Sequence, residues 1–457
     1  MVVRTFLIFL PLLLILSFTC SAKDKEWLKL KKEFLLKIQD ENIDTAVSAY
    51  DLLKDRKDLK TVKLAMIGFK RKEIEIFEVA AKYLQENKES EEAALWILKS
   101  GIRQIKDIYA MSYIFNSLGH FKFPAVVLKI NNYLKRARTA ETLIPLVEAA
   151  GMLQDSSSLP HLFKIRKNGL YRVHYGLRKT LFEALIEFPA KEVVPFLIKV
   201  LYESQGVIGD QIQQYLSIVT GTVKGDSKKW QIWLEENKDN FSYREFNAQK
   251  KDELLGRTWA TDKEGVTYYE IPINAKRIVF VVDQSGSMSI GNSENTRMDR
   301  AIEEIKAVVG KLPKGYLFEV VAFSTKASVW FRKLAGVGSK TKIAFDKRMR
   351  GLKAGGGTNT FDAFKKAFET DRNTEAIFFM SDGNPSVGKI ISQTALLAHI
   401  KKENRFRKID INAIGLVFGD IPEKFLKAGY RENVPELEKF MKNVALQNNG
   451  KYKMMKK

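Results

Sequence analysis

An apolar run, Ile278 to Val282, leads straight into one acid and two hydroxyls at alternate positions: Asp283, Ser285 and Ser287 of VFVVDQSGSMSI. Two further oxygen-bearing side chains stand in similar settings. Thr358 follows three glycines in GGGTNT, and Asp382 closes the run FFMSD. All five side chains offer oxygen; none offers nitrogen or sulfur. Hydroxyls and carboxylates suit a hard cation such as Mg²⁺, which takes near-octahedral oxygen ligation at about 2.0–2.1 Å. The expected metal residues are therefore Asp283, Ser285, Ser287, Thr358 and Asp382, for Mg²⁺ or another divalent cation such as Mn²⁺. Gly286 is expected to turn the chain so that Ser285 and Ser287 point inward, and Gly355 to Gly357 to let backbone approach closely.

These residues lie far apart along the chain, so the elements between them must gather them. From Ala275 onward, the runs RIVFVVD, YLFEVVAFS, EAIFFMSD and IDINAIGLVF are short, apolar and rich in strand formers. Several are apolar at successive positions, as expected of strands buried on both faces. Amphipathic segments separate them: RMDRAIEEIKAVVGKL, TFDAFKKAFE, SQTALLAHIKKE and VPELEKFMKNVALQNNG. Alternating strands and helices imply an α/β, doubly wound, Rossmann-like sheet with right-handed crossovers, whose ligands sit beyond the carboxyl ends of the strands. Asp283 and Asp382 both fall at such ends.

Asp283-Gln284-Ser285-Gly286-Ser287, then Thr358, then Asp382-Gly383, resembles the metal-ion-dependent adhesion site (MIDAS) of the von Willebrand factor A (VWA) domain. The resemblance spans roughly Arg277 to Met455, including a last helix and the strand KYKMM. It implies that Ser285 and Ser287 bind the metal directly. It implies that Thr358 does so when a partner is engaged, and that Asp283 and Asp382 hold metal-bound waters. With both carboxylates in the outer shell, the cation would keep much of its charge and attract a partner's Asp or Glu.

The preceding part reads differently. From Lys23 to Phe241, apolar residues recur at three and four, as in ETLIPLVEAAGML with Leu143, Leu146, Val147 and Ala150 on one stripe. YRVHYGLRKTLFEALIEF repeats the pattern with Leu177, Leu181, Leu185 and Ile186. Pro124, Pro160 and Pro195 are spaced by 36 and 35 residues, and each is expected to open an apolar helix. Helices are expected before them at Asp107 to Leu118, Glu141 to Leu153 and Tyr171 to Phe188. Helix pairs at this period imply an α-solenoid. This half resembles HEAT-type repeat domains; its end, with Thr220, Gly221, Asp226, Trp230 and Trp233, resembles the tail of such arrays in bacterial envelope proteins. Residues 23–241 are thus expected as an α-helical, HEAT-like domain offering a concave surface, 242–274 as a linker and 275–457 as the VWA domain. Within the linker, Tyr268, Tyr269 and Ile271 are expected to dock on the domain that follows.

At the start, Arg4 precedes an apolar run from Phe6 to Phe18, followed by Ser21-Ala22. This order predicts a secretory signal over residues 1–22, too short to span a bilayer, and hence a secreted or periplasmic, cell-envelope protein with no transmembrane segment after cleavage. Ser17 and Thr19 suit lipid anchoring at Cys20 poorly, so export is favoured over lipidation. Cys20 is the only cysteine among 457 residues, so a cleaved chain has no disulfide. The four histidines, His120, His161, His174 and His399, are isolated, which removes support for zinc or His-based catalysis.

The formal net charge of +22 comes from lysines spread along the chain, many beside acids, and reads as solvated helix faces. It allows contacts with anionic surfaces but indicates no specific nucleic-acid site. In GVGSKT, Ser339 stands where a phosphate-binding loop needs glycine before Lys340, and GGGTNT lacks a dinucleotide fingerprint. No nucleophile has a neighbouring base, so an enzyme is not expected. The expected function is protein–protein binding, with the VWA-like half holding a partner's Asp or Glu through the metal. Two other classes are a metal-dependent hydrolase, with a cation and two acids activating water, and a scaffold for anionic envelope polymers.

Overall fold

The computed structural model describes residues 22–237, 241–257, 265–292, 295–427 and 432–456. Residues 1–21 of the expected signal segment, Cys20 among them, lie outside the described residues. Among the described residues, no helix is long and apolar enough to cross a membrane.

The first half is helical. The helices that matter below are α1 (Ile74–Glu86), α2 (Ile108–Leu118), α3 (Pro124–Arg136), α4 (Ala140–Leu153), α5 (Leu159–Ile165), α6 (Tyr175–Leu185), α7 (Ala190–Leu201) and α8 (Val207–Thr220). Helices α1, α2, α4, α6 and α8 pack successively side by side, while α3, α5 and α7 form a second row. Bonds between neighbouring units recur at chain separations of 33 to 37 residues. Ser117 Oγ donates to the Ala81 carbonyl 36 residues away, Gln154 Nε2 to the Glu187 carbonyl 33 away, and Arg166 pairs with Glu203 37 away. The prolines depart from expectation in one place. Pro124 and Pro160 sit in the first turns of α3 and α5, but Pro195 lies inside α7 and Pro145 inside α4. An interior proline removes one backbone donor, yet α7 buries Val193, Val194, Leu197, Ile198 and Leu201, and burial outweighs the lost bond. The single helix expected over Tyr171 to Phe188 is broken at His174, whose Nδ1 accepts from the Leu177 amide and caps α6. Trp230 and Trp233 pack edge-to-face at 5.6 Å in a closing helix, Ser227–Asn237, with Phe241 against Trp233.

The second half is a sheet of β1 (Arg277–Asp283), β2 (Leu317–Phe323), β3 (Ala327–Val329), β4 (Ala376–Ser381), β5 (Asp410–Leu416) and β6 (Tyr452–Met455), ordered β6-β5-β4-β1-β2-β3. These neighbours are parallel except β2 and β3, and a seventh short strand, Ala335–Gly336, also pairs antiparallel with β2. The antiparallel β3 has no counterpart in the sequence reading, because ASV is too short to show a period. Alternate residues of β1 enter two cores. Ile278, Phe280 and Val282 pack with α9 (Arg297–Lys311), whereas Val279 and Val281 pack with α10 (Thr360–Thr370), α11 (Gln393–Asn404) and α12 (Val434–Leu446). The strand order reverses at β1, the switch point beside which such folds place ligands.

The stretch expected as a linker is packed at both ends. Phe241, Tyr243, Phe246 and Leu254 belong to the helical core. A two-strand ribbon, Thr267–Tyr268 with Ile271–Pro272, docks on the sheet, with Tyr268 edge-to-face on Phe280 and Phe378. The two halves also meet directly. The row α1–α2–α4–α6 faces the end of α11 and the start of β5. Glu148 accepts from Arg405 and Lys408 at 2.6 Å each, Lys179 pairs with Asp410 at 2.5 Å, and Lys401 pairs with Glu78. A Cβ on Gly176 would stand 2.1 Å from the Phe406 carbonyl oxygen, so only glycine permits this approach. That row of the helical half is therefore in contact with the sheet domain. Long-range pairing between the halves was not visible in local periodicity.

Candidate metal centre

Strand β1 delivers Asp283, and β4 delivers Ser381 with Asp382 just beyond it, to the carboxyl ends of two central, adjacent strands. The Asp283 carboxylate is held on both oxygens: Oδ1 accepts from the Ser285 amide at 2.7 Å and Oδ2 from the Ser381 hydroxyl at 2.5 Å. Ser287 Oγ donates to Asp382 Oδ1 at 2.8 Å and lies 3.2 Å from Ser285 Oγ. Thr358 Oγ1 and Ser287 Oγ both fall 3.6 Å from the point where a Cβ on Gly383 would stand. All five expected residues thus converge, and all are buried or nearly so.

The Thr358 loop is set by backbone bonds rather than by a regular element. Gly286 N–H donates to the Gly356 carbonyl, Gly355 N–H to the Gln284 carbonyl, and Asn359 N–H to the Ser324 carbonyl. Thr358 N–H donates to Ser386 Oγ at 2.9 Å. Glycine is needed at two of the four expected positions, Gly356 and Gly357. Gly356 has φ +84° and faces Thr325 Oγ1, and a Cβ on Gly357 would meet Val387 at 2.8 Å. Gly286 has no left-handed φ and Gly355 faces open space, so the turn that aims Ser285 and Ser287 does not depend on glycine there.

Three residues escaped the sequence reading. Ser381 was read only as part of a strand end. Glu432 lies in a polar connection without periodicity, close before α12. Arg297 reads as the first residue of an amphipathic helix, and α9 does begin there behind a Thr296–Asp299 capping box. Its side chain nevertheless turns inward, fully buried. It donates from one terminal nitrogen to Asp382 Oδ2 at 3.0 Å and from Nε to the Phe418 carbonyl at 2.9 Å; its other terminal nitrogen lies 2.8 Å from Glu432. A basic residue following the Asp-x-Ser-x-Ser loop was the available signal.

Burial pushes the Asp283 carboxyl up, and the neighbouring Asp382 charge pushes it further. Burial also raises Asp382, against the pull of the Arg297 cation and the Ser287 hydroxyl. The one cation fixed beside Asp382, Arg297, is also engaged by Glu432, so a further positive charge between Asp283 and Asp382 would be stabilising. Around the two acids the donors are hydroxyls, the set a hard cation takes. Among the described residues, no group of three or more His, Cys, Asp or Glu could hold a metal ion, so a cation here would draw on hydroxyl oxygens beside the acids. The mouth is a cavity of about 440 Å³ whose lining includes Ser285, Ser287, Thr358, Asp382 and Glu432.

Residues 278–384 match the von Willebrand factor type A domain. Human inter-alpha-trypsin inhibitor heavy chain H4 is 29% identical over 125 residues, 25% of this chain and 13% of that protein. Human von Willebrand factor A domain-containing protein 3B is 30% identical over 151 residues, 33% of this chain and 11% of that protein. The chain thus spans well under a fifth of either relative. Among solved structures, a von Willebrand factor type A protein from Catenulispora acidiphila aligns with 40% of each chain at 19% identity and a TM-score of 0.32. BatB from Bacteroides thetaiotaomicron aligns with 39% of this chain and 89% of its own, at 16% identity and a TM-score of 0.30.

Proposed function

From a chain that carries a von Willebrand factor type A domain, we infer an exported interaction protein that grips an acidic residue of a protein partner through a divalent metal, Mg²⁺ or a similar hard cation. The observation that carries this reading is the convergence of three loop ends, seen most directly in Ser287 Oγ donating to Asp382 across 95 residues of chain. Ser285, Ser287 and Thr358 would hold the ion through their hydroxyls, with Asp283 and Asp382 positioning its waters. When bound, the cation would supply a Lewis-acidic point for a carboxylate. Arg297 adds a reason for that point to stay electrophilic: by sharing the charge of Asp382 it limits how far this acid neutralises the ion. The relatives are inhibitor heavy chains and a domain-containing protein by name, which supports an interaction role over an enzymatic one.

Position also supports the reading. Strand β1 runs seven residues from Arg277 at the helical half to Asp283 at the site, about 20 Å of extended chain. The helical half, proposed as a HEAT-like array, thus sits behind the site and leaves its mouth open to a partner. Export rests on the order of charged, apolar and small residues in 1–22.

The test is a Mg²⁺ titration of the full chain followed by thermal melting. A ligand at 100 times its Kd stabilises by about 2.7 kcal/mol, so the parent melt should climb with Mg²⁺ while Ser287→Ala and Asp283→Ala stay flat. Envelope proteins retained on the parent should be released by EDTA. Parent and variants responding alike to Mg²⁺ would sink the reading.

A further inference from the structure

A second cavity, of about 700 Å³, opens between the helical half and the amino ends of the sheet's central strands, within the size range of small-molecule sites. Six cationic side chains line it: Arg166, Lys167, Arg172 and Arg178 from the helical half, Lys276 and Arg277 from the start of β1. Among the described residues, two acids, Glu203 and Glu375, face them. Glu203 is taken by Arg166, and Arg277 pairs with Asp371 at 2.7 Å. Lys167, Arg172 and Lys276 form no ion pair among the described residues.

One donor in this wall lacks what burial normally demands, and one neighbouring cation is only partly satisfied. Arg277 Nε is buried with no hydrogen-bond partner. One terminal nitrogen of Arg178 is saturated by the Tyr171 and Arg172 carbonyls and by Asn373 Oδ1 across the junction. Its other terminal nitrogen has no protein partner among the described residues. Burial lowers the basicity of Arg178, the mark of a cation short of counter-charge. Buried donors and charges are ordinarily satisfied, and each one that is not asks for an explanation.

We propose that this junction cleft binds a small oligoanion of the phosphate class, carrying two or more anionic groups, held between the guanidinium groups of Arg172, Arg178 and Arg277 and the ammonium of Lys276. Planar guanidinium forks match tetrahedral oxyanions bidentately, which favours phosphate-type groups over a single carboxylate. The bound anion would bridge Arg178 of the helical half and Arg277 of the sheet, so it clamps the two halves together. It sits at the far end of β1 from Asp283 and needs no metal.

The experiment is calorimetric titration of the full chain with inorganic pyrophosphate, in EDTA and at about 0.15 M salt, where diffuse surface attraction is largely screened. Working in EDTA separates this cleft from the metal centre, whose failure would leave the result unchanged. The parent should bind one pyrophosphate saturably. Arg172→Gln with Lys276→Gln should weaken it by about tenfold per charge removed. Lys31→Gln with Lys32→Gln removes the same charge from an exposed helix elsewhere and should change affinity by no more than about twofold. If the melt shows that the first pair fails to fold, Arg172→Gln alone serves and should weaken binding by about tenfold. Absence of saturable heat, or equal weakening in both pairs, overturns the proposal.

Discussion

Arg297 and Asp382 form a fully buried ion pair at 3.0 Å, although 85 residues separate them and the sequence presents Arg297 as an ordinary helix start. The pair ties α9 to the end of β4, and through Ser287 to the loop that follows β1. Removing one partner of such a pair strands the other charge in a dry site.

Arg297→Met should therefore cost about 3–5 kcal/mol in metal-free urea unfolding. Excess Mg²⁺ should recover part of the loss, because the ion supplies the missing positive charge beside Asp382. Equal losses with and without Mg²⁺ would show that Arg297 acts only as packing.

Glu148 predicts an acid limb of stability. Burial alone would raise its carboxyl, but the charges and hydrogen bonds of Arg405 and Lys408 more than offset this and hold it at about 2. A folded value below the unfolded one gives stability that is present above about pH 4.5 and lost as pH falls toward 2, worth about 3 kcal/mol. Glu148→Gln should lower stability at pH 7 and flatten the acid limb between those values. Two superimposable pH–stability curves would refute the junction pair.

Glu375 carries the opposite sign. Burial pushes its carboxyl up to about 7, against a hydrogen bond from the Lys276 amide at 2.8 Å. The protonated form is the one the fold prefers, so its contribution is full below about pH 4.5 and fades as pH rises through 7. Glu375→Gln keeps an acceptor for that amide and removes the buried charge. It should raise the melting temperature at pH 8.5 and leave it nearly unchanged at pH 4.5.

Gly176→Ala tests the junction sterically. The added methyl group meets the backbone oxygen of Phe406, which has no flexible end to swing aside. A loss of about 1–3 kcal/mol is expected, together with a split of the unfolding curve as the two halves uncouple. A single, unshifted transition would mean that the junction yields at no cost.

The alternating strands and helices after Ala275 were legible because buried parallel strands read as continuous apolar runs, and the helices between them show a clean 3.6 period. The five oxygen donors were legible because each falls at a strand end or in a glycine-rich loop. Period 35–36 in the helical half was visible through Pro124, Pro160 and Pro195, but the place of Pro195 inside its helix was not: burial of the apolar face overrode the local signal. Gly356 and Gly357 matter as expected, but Gly286 and Gly355 do not, because the sequence shows neither their φ nor what stands opposite.

The sequence by itself determined where the strands end and which side chains could meet a hard cation, because those choices are local matters of hydrophobic period and donor chemistry. The tertiary structure alone decided that Arg297 turns inward to Asp382, that Glu148 neutralises Arg405 and Lys408, and that one helical row is in contact with the sheet domain. Each of these joins residues between 85 and 260 positions apart. No local pattern encodes such pairings; they arise only when packing removes water from charges that the chain itself must then match.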